Sequence, residues 1–208
     1  MKVFIFTGGS IVPENIIEKL DKDDMVISAD SGYLNAELLG FKTDVLVGDF
    51  DSLGRENIPD GIEKVELPCE KDLTDTQVAC DMAIEAGANQ IVIIGGLDGR
   101  LDHTLSNMAV LRELSSKGIY SYITDGKNRV RYINSTGTII ARSAFKYLSL
   151  IADDKVVKGV SIEGCKYPLK DAKIYRERQF AVSNEIVGNC ALVSARKGGL
   201  FIVESDPQ

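Results

Sequence analysis

The feature that most constrains this chain is a change of pattern near its middle. In the first half, short apolar runs alternate with segments of helical period. Lys2–Phe6, Met25–Ala29, Val45–Val47, Lys64–Leu67 and Ile91–Ile94 are brief and partly β-branched, as buried strands are. Between them, Leu34, Leu38 and Leu39 fall at helical spacing, as do Val78, Met82 and Ala86, and Leu105, Met108, Leu111 and Leu114 form a stripe. Each helical segment ends near a glycine: Gly40, Gly87, Gly118. Strands alternating with helices predict an α/β N-terminal domain with a mostly parallel, Rossmann-like sheet.

After "ITDGKNRVRYI" the long helical periods stop. Short strand-like runs follow, "TIIA", "YLSLIA", "VSIEG", "CALVSA" and "LFIVES", separated by turn clusters such as Asn134-Ser135-Thr136-Gly137 and Lys197-Gly198-Gly199. That pattern predicts a small all-β sandwich domain. The expected division is 1–126 for the α/β part and 127–208 for the all-β part. A length of 208 residues, 44% of them hydrophobic and 26% charged, is enough for two such cores.

Charge and cysteine usage narrow the function. A net charge of −7 argues against nucleic-acid binding, which needs a basic face. It leaves nucleotides open, because a metal can supply positive charge locally. No apolar run approaches the ~20 residues of a membrane helix. The apolar run in "MKVFIFTGGS" breaks too early for a signal-peptide core and reads as a first buried strand. Cys69, Cys80, Cys165 and Cys190 form no CxxC pair, which points to reduced thiols and a cytoplasmic location.

In an open parallel sheet, ligands bind beyond the carboxyl ends of the strands. The residues that follow each predicted strand are therefore informative. Thr7, Gly8 and Gly9 follow the first, Asp30, Ser31 and Gly32 the second, and Gly48, Asp49 and Asp51 the third. Lys71, Asp72, Thr74 and Asp75 stand at one helix start; Gly95, Gly96, Asp98, Gly99 and Arg100 follow the strand at Ile91–Ile94, and Asp102 and His103 open the next helix. Taken singly, each has an ordinary explanation. Asp and Gly favour turns, Asp72 and Asp75 suit a helix N-terminus, and Thr74 with Gln77 matches a capping box. Gly8-Gly9 and Gly95-Gly96 complete no phosphate-loop motif. Asp49 and Asp51, if the chain stays extended, point to one side.

If these segments converge, the carboxylates need a cation. Two unit charges at 4 Å repel by about 4 kcal/mol at an effective dielectric of 20. Mg²⁺ takes one or two carboxylates and keeps positions for phosphate oxygens. The residues thus point to magnesium-dependent phosphoryl or pyrophosphoryl transfer, with catalysis by positioning and charge neutralisation.

The segments "ADSGYLNAELLG", "DVLVGDFDSL", "KDLTDTQVACDMAIEAG", "IVIIGGLDGRLDHTLSNMAVL", "CKYPL" and "VSNE", in this order from Ala29 to Glu185, resemble the thiamine pyrophosphokinase family of bacterial type. The resemblance implies transfer of pyrophosphate from ATP to the hydroxyl of thiamine, giving thiamine diphosphate and AMP. It implies a homodimer with sites between subunits. It also implies that the all-β domain contributes the thiamine pocket and dimer contacts. Asp49, Asp51 and Asp75 match the family's magnesium-binding aspartates; Asp72 belongs to the same motif, and with Arg100 these make the expected catalytic set. Asp30, Thr74, Gly95, Gly96, Arg100, Asp102, His103 and Asn107 match nucleotide-side positions. Tyr167, Ser183 and Asn184 match the thiamine pocket, with Tyr167 where eukaryotic relatives carry tryptophan. An aromatic ring suits a cationic thiazolium.

Two rival readings compete. One is a phosphatase of haloacid dehalogenase type, with Asp49 as nucleophile. Its D-x-D motif normally opens its domain, whereas two strands precede it here. The other is a non-catalytic nucleotide- or thiamine-binding protein, which would not need the full carboxylate set.

Overall fold

The computed structural model describes residues 1–206 apart from 51–53, 55–57, 59–60 and 69–71. The chain divides into two compact units, Met1–Gly126 and Lys127–Gln208.

The first unit is built on strands β1 (Lys2–Phe6), β2 (Met25–Ala29), β3 (Val45–Gly48), β4 (Glu63–Glu66), β5 (Gln90–Ile94) and β6 (Tyr120–Thr124). They lie in the order β4-β3-β2-β1-β5-β6. Every neighbouring pair runs parallel. Helices α1 (Gly32–Leu38), α2 (Asp75–Glu85) and α3 (Leu101–Ser116) join β2 to β3, β4 to β5 and β5 to β6. The pattern of the first half thus forms the expected helices and parallel strands. On one face, Phe4, Phe6, Val92 and Ile94 pack with Ala36 of α1 and with Phe41. Val3, Ile5, Ile91 and Ile93 alternate to the opposite side and are fully buried. Helix α2 buries Ala79, Cys80 and Ala83 and packs across β1, β2 and β3. Its small side chains let helix and sheet approach closely.

This topology fixes where a site can form. From β1 the chain builds leftward to β4, then returns across to β5 on the other side of β1. The strand order therefore reverses between β1 and β5, and the loops after these two strands open a crevice. A helix joining two parallel strands must run antiparallel to them. Each helix N-terminus therefore lies at the carboxyl edge of the sheet.

The second unit contains β7 (Asn128–Asn134), β8 (Gly137–Ala141), β9 (Tyr147–Ala152), β10 (Val156–Glu163), β11 (Leu169–Tyr175), β12 (Cys190–Ser194) and β13 (Gly199–Ser205). Within it, β7-β13-β9 and β11-β10-β12-β8 are antiparallel groups. They share one apolar core: Ile133, Leu150, Leu200 and Ile202 from the first group meet Ile140, Val157, Val160, Ile162 and Val193 from the second. Arg131 and Glu204 lie on the same strand faces as that core, and their side chains pair at 2.7 Å. Ser143 Oγ donates to the other Glu204 oxygen at 3.2 Å.

Strands β6, β7 and β11 were not singled out from the sequence. β7 carries Arg129 and Arg131 where a core strand would be apolar. β11 faces solvent with Lys170, Asp171 and Lys173, and buries only Ile174. Such polar interruptions hide the period-2 signal.

Cys80, Cys165 and Cys190 are free thiols, and Cys69 lies outside the described residues. Burial pushes the Cys80 thiol up to about 12 and raises that of Cys165 as well. The thiolate is the reactive form. Iodoacetamide at neutral pH is therefore expected to label exposed Cys190 in the native protein. Cys80 and Cys165 should label only after denaturation. Peptide mapping by mass spectrometry checks this, and rapid native labelling of Cys80 would contradict the packing of α2.

Candidate active site

The loops after β1 and β5 are laced together at the switch point. Thr7 N–H donates to the Ile94 carbonyl at 2.9 Å, and Gly96 N–H to the Gly8 carbonyl at 3.0 Å. Gly95 N–H reaches the Thr124 carbonyl of β6 at 2.8 Å. These approaches require glycine. A Cβ on Gly95 would lie 2.6 Å from the Thr7 carbonyl oxygen, and one on Gly96 would lie 2.5 Å from Asn107 Nδ2. Both residues have left-handed backbones, φ +96° and +71°.

Two asparagines pin this crevice. Asn107, buried on α3, donates to the Gly96 carbonyl at 3.0 Å. Asn35, on α1, donates to the carbonyls of Thr7 and Gly9 at 2.8 and 3.0 Å. The sequence pointed to Asn107 but not to Asn35. The available signal was a polar residue at the third turn-facing position of a short helix beside a glycine loop. That signal is weak without knowing that α1 starts against β1.

Carboxylates stand beside the crevice. Asp30 follows β2 with φ +52°, a left-handed conformation that aspartate tolerates. Its N–H donates to the Val47 carbonyl at 2.8 Å, tying the end of β2 to that of β3. A Cβ on Gly48 would sit 3.2 Å from the Asp30 Cβ, so the loop carrying Asp49 passes directly over Asp30. Extended geometry ends here. Phe50 has φ +62° and buries its ring with Tyr33 and Leu46. Ring burial turns the backbone out of the strand, so strand alternation does not continue past Gly48. Asp51 lies outside the described residues, as does Lys71.

Thr74 caps α2 as its spacing predicts. Its hydroxyl accepts from Gln77 N–H at 3.3 Å, and Gln77 Oε1 accepts from Thr74 N–H at 2.9 Å. The capping box sets the helix start, and Asp75 is its first helical residue. Asp72 is exposed in the preceding turn. Asp49 and Asp72 on loops and Asp75 at the start of α2 thus stand on the same sheet edge. Among the described residues, no three His, Cys, Asp or Glu side chains are grouped closely enough to hold a metal.

Helix α3 begins at Leu101, one residue earlier than expected, with Arg100 at its N-cap. Arg100 grips Asp102 through two bonds, Nη2 to Oδ2 at 2.7 Å and Nε to Oδ1 at 3.2 Å. That hydrogen-bonded pairing raises the guanidinium and holds the Asp102 carboxyl below the usual carboxylate range. Both side chains are exposed, at 73% and 64%. Solvent screening makes such a pair easy to exchange for another partner. His103 is exposed in the first turn of α3.

In the second unit, Tyr167 is 60% exposed and precedes Pro168. The Lys166 ammonium lies 5.7 Å from its ring centroid and 3.5 Å from Glu185. Ser183 has φ +57°, with its N–H held by Ser149 Oγ at 3.0 Å. Asn184 is buried, and its side chain meets the backbone of Tyr167.

An open parallel sheet with glycine turns at the switch point and carboxylates on the same edge is the arrangement at which α/β proteins take their ligands. Comparison with known proteins narrows the class. Residues 17–123 match the family described as thiamin pyrophosphokinase, catalytic domain. Residues 137–200 match thiamin pyrophosphokinase, vitamin B1 binding domain. The chain belongs to the thiamin pyrophosphokinase family. Thiamine pyrophosphokinase of Bacillus subtilis (strain 168) is 29% identical over 211 residues, covering 97% of each chain. A crystal structure of the enzyme from that species shares the fold at a TM-score of 0.90 and 24% identity, covering 100% of both chains. That of thiamin pyrophosphokinase from Geobacillus thermodenitrificans gives 0.87 and 27% identity over 100% of this chain and 99% of that one. Among the described residues, no helix is long and apolar enough to cross a membrane.

Proposed function

We propose that this chain is a magnesium-dependent thiamine pyrophosphokinase. The observation that carries the reading is the shared edge. The glycine turns at the switch point, Asp30, Asp49, the start of α2 at Asp75 and the N-terminus of α3 all lie at the carboxyl edge of one parallel sheet. In the reaction, the thiamine hydroxyl oxygen bonds to the β-phosphorus of ATP. The bond from that phosphorus to the α–β bridging oxygen breaks, AMP leaves, and the hydroxyl proton is lost.

The donor set suits Mg²⁺, a hard cation that prefers carboxylate oxygen. Asp49, Asp51 and Asp75 would hold it, with Asp72 beside them. A bound Mg²⁺ supplies charge neutralisation on the phosphates. The chain's own groups do the rest. Gly95 and Gly96 bring backbone close to the phosphates, as no larger residue could. The N-terminus of α3, a helix of 16 residues at Leu101–Ser116, favours an anion. Arg100 would exchange Asp102 for a phosphate oxygen. Asp30, Thr74, His103 and Asn107 complete the nucleotide side, with Asn107 acting through the Gly96 carbonyl. Tyr167 and Ser183, with Asn184 behind them, serve the thiamine side. The family reading also carries a homodimer and a cytoplasmic location, where ATP is available.

Purified protein incubated with ATP, Mg²⁺ and thiamine should yield AMP and thiamine diphosphate in equal amounts, read by chromatography. Phosphate release from a monoester, with an aspartyl-phosphate trapped on Asp49, would favour the phosphatase instead. Binding of thiamine without turnover would leave a sensor.

A further inference from the structure

The side chain of Asn184 is committed to the chain itself. Its Oδ1 accepts from Tyr167 N–H at 3.0 Å and from Glu185 N–H at 2.9 Å. Its Nδ2 donates to the Tyr167 carbonyl at 2.8 Å. The amide thereby imitates a peptide group. It extends by one rung a short antiparallel pairing in which Val187 N–H donates to the Gly164 carbonyl and Lys166 N–H to that of Glu185. The backbone of Asn184 is equally engaged. Its N–H donates to the Leu148 carbonyl at 3.0 Å, and its carbonyl accepts from Leu148 N–H at 2.8 Å. With only 4% of its surface exposed, Asn184 welds the Tyr167 segment to β9.

What this weld holds is an exposed ring. Pro168 already biases the Tyr167 backbone toward extended geometry, and Asn184 clamps both of its polar groups. An aromatic side chain left 60% in solvent on a backbone fixed this firmly is pre-organised to meet something. Next to Asn184 in the chain, Ser183 is held at φ +57° by the Ser149 hydroxyl. Turning the Asn184 amide toward a ligand would cost it the bonds to the Tyr167 N–H and carbonyl, and its second Nδ2 hydrogen sits on a residue only 4% exposed.

We infer that Asn184 is a positioning residue that sets the Tyr167 ring for thiamine and acts on the ligand only through that ring. This rests on the reading that Tyr167 lies on the thiamine side of the proposed reaction.

A double-mutant cycle on the full-length enzyme tests it, with steady-state kinetics varying thiamine at saturating Mg-ATP. Asn184→Ala and Tyr167→Ala should each raise the thiamine KM, by roughly tenfold, with kcat and the ATP KM little changed; coupled neighbours show effects of this size. The double variant should be no worse than Tyr167→Ala. If Asn184→Ala does not fold, Asn184→Asp carries the cycle. It keeps the acceptor for the two N–H groups and replaces the donor to the Tyr167 carbonyl with a charged oxygen that repels it. A further multiplicative rise in KM in the double variant would mean that Asn184 touches thiamine itself, overturning the positioning role. So would an unchanged KM in both Asn184 variants. An unchanged KM in Tyr167→Ala would instead overturn the reading on which the inference rests.

Discussion

Asp75→Asn is expected to lower turnover by on the order of 10²-fold or more while leaving the fold intact. Removing one group aimed at charge in a phosphoryl-type transition state has effects of that order. The structural cost should be small. Asp75 opens α2 behind a capping box made by Thr74 and Gln77, which the substitution does not touch. What the helix loses is the favourable meeting of a carboxylate with its N-terminal dipole, about 0.3–1 kcal/mol at an accessible site. Parallel measurement of kcat and thermal melting separates the two. Near wild-type turnover would remove Asp75 from the proposed metal set. A large drop in melting temperature together with lost activity would return Asp75 to a structural role in the helix.

Glu204→Ala should be the most destabilising of the substitutions considered, and its effect belongs to the second unit. Glu204 is 2% exposed and pairs with Arg131, itself 7% exposed, at the rim of the β core. Arg129 stands 3.9 Å away and lies over the Phe145 ring at 5.1 Å. Truncating the carboxylate breaks the buried ion pair from one side, which costs roughly 3–5 kcal/mol. For a chain of this length that corresponds to a fall in melting temperature on the order of 10 °C. Replacing both partners by apolar residues, Arg131→Met with Glu204→Leu, should recover most of the loss, because the desolvation of both charges is removed as well. Calorimetry on the three proteins decides it. A Glu204→Ala variant that melts with the wild type would show that the pair is solvated and not part of the core.

The β-branched strands and helical stripes of the first half were legible because both faces of a parallel sheet are covered. The central strands β1, β2, β3 and β5 are therefore largely apolar and buried, whereas the edge strand β4, Glu63–Glu66, is mostly exposed; each helix there carries a stripe. The Thr74 cap was legible because it is a local exchange of hydrogen bonds over three residues. β11 was hidden because an exposed edge strand with Lys170, Asp171 and Lys173 has little apolar signal to read. The premise that Asp49 and Asp51 stay extended failed at Phe50 for a different reason. Its ring is drawn into a cluster with Tyr33 and Leu46, and that contact crosses elements distant in sequence.

By itself, then, the sequence determined the kind of elements, the change from α/β to all-β near residue 126, and which loops carry the carboxylates and glycines. Those properties follow from local periodicity and residue chemistry. Only the tertiary structure decided which loops meet. The strand order places the Thr7–Gly9 and Gly95–Gly96 turns side by side, gives Asn35 a role at the crevice, and turns the amide of Asn184 inward onto Tyr167. Each of these depends on backbone groups brought together from segments tens of residues apart, and no pattern within a single segment records them.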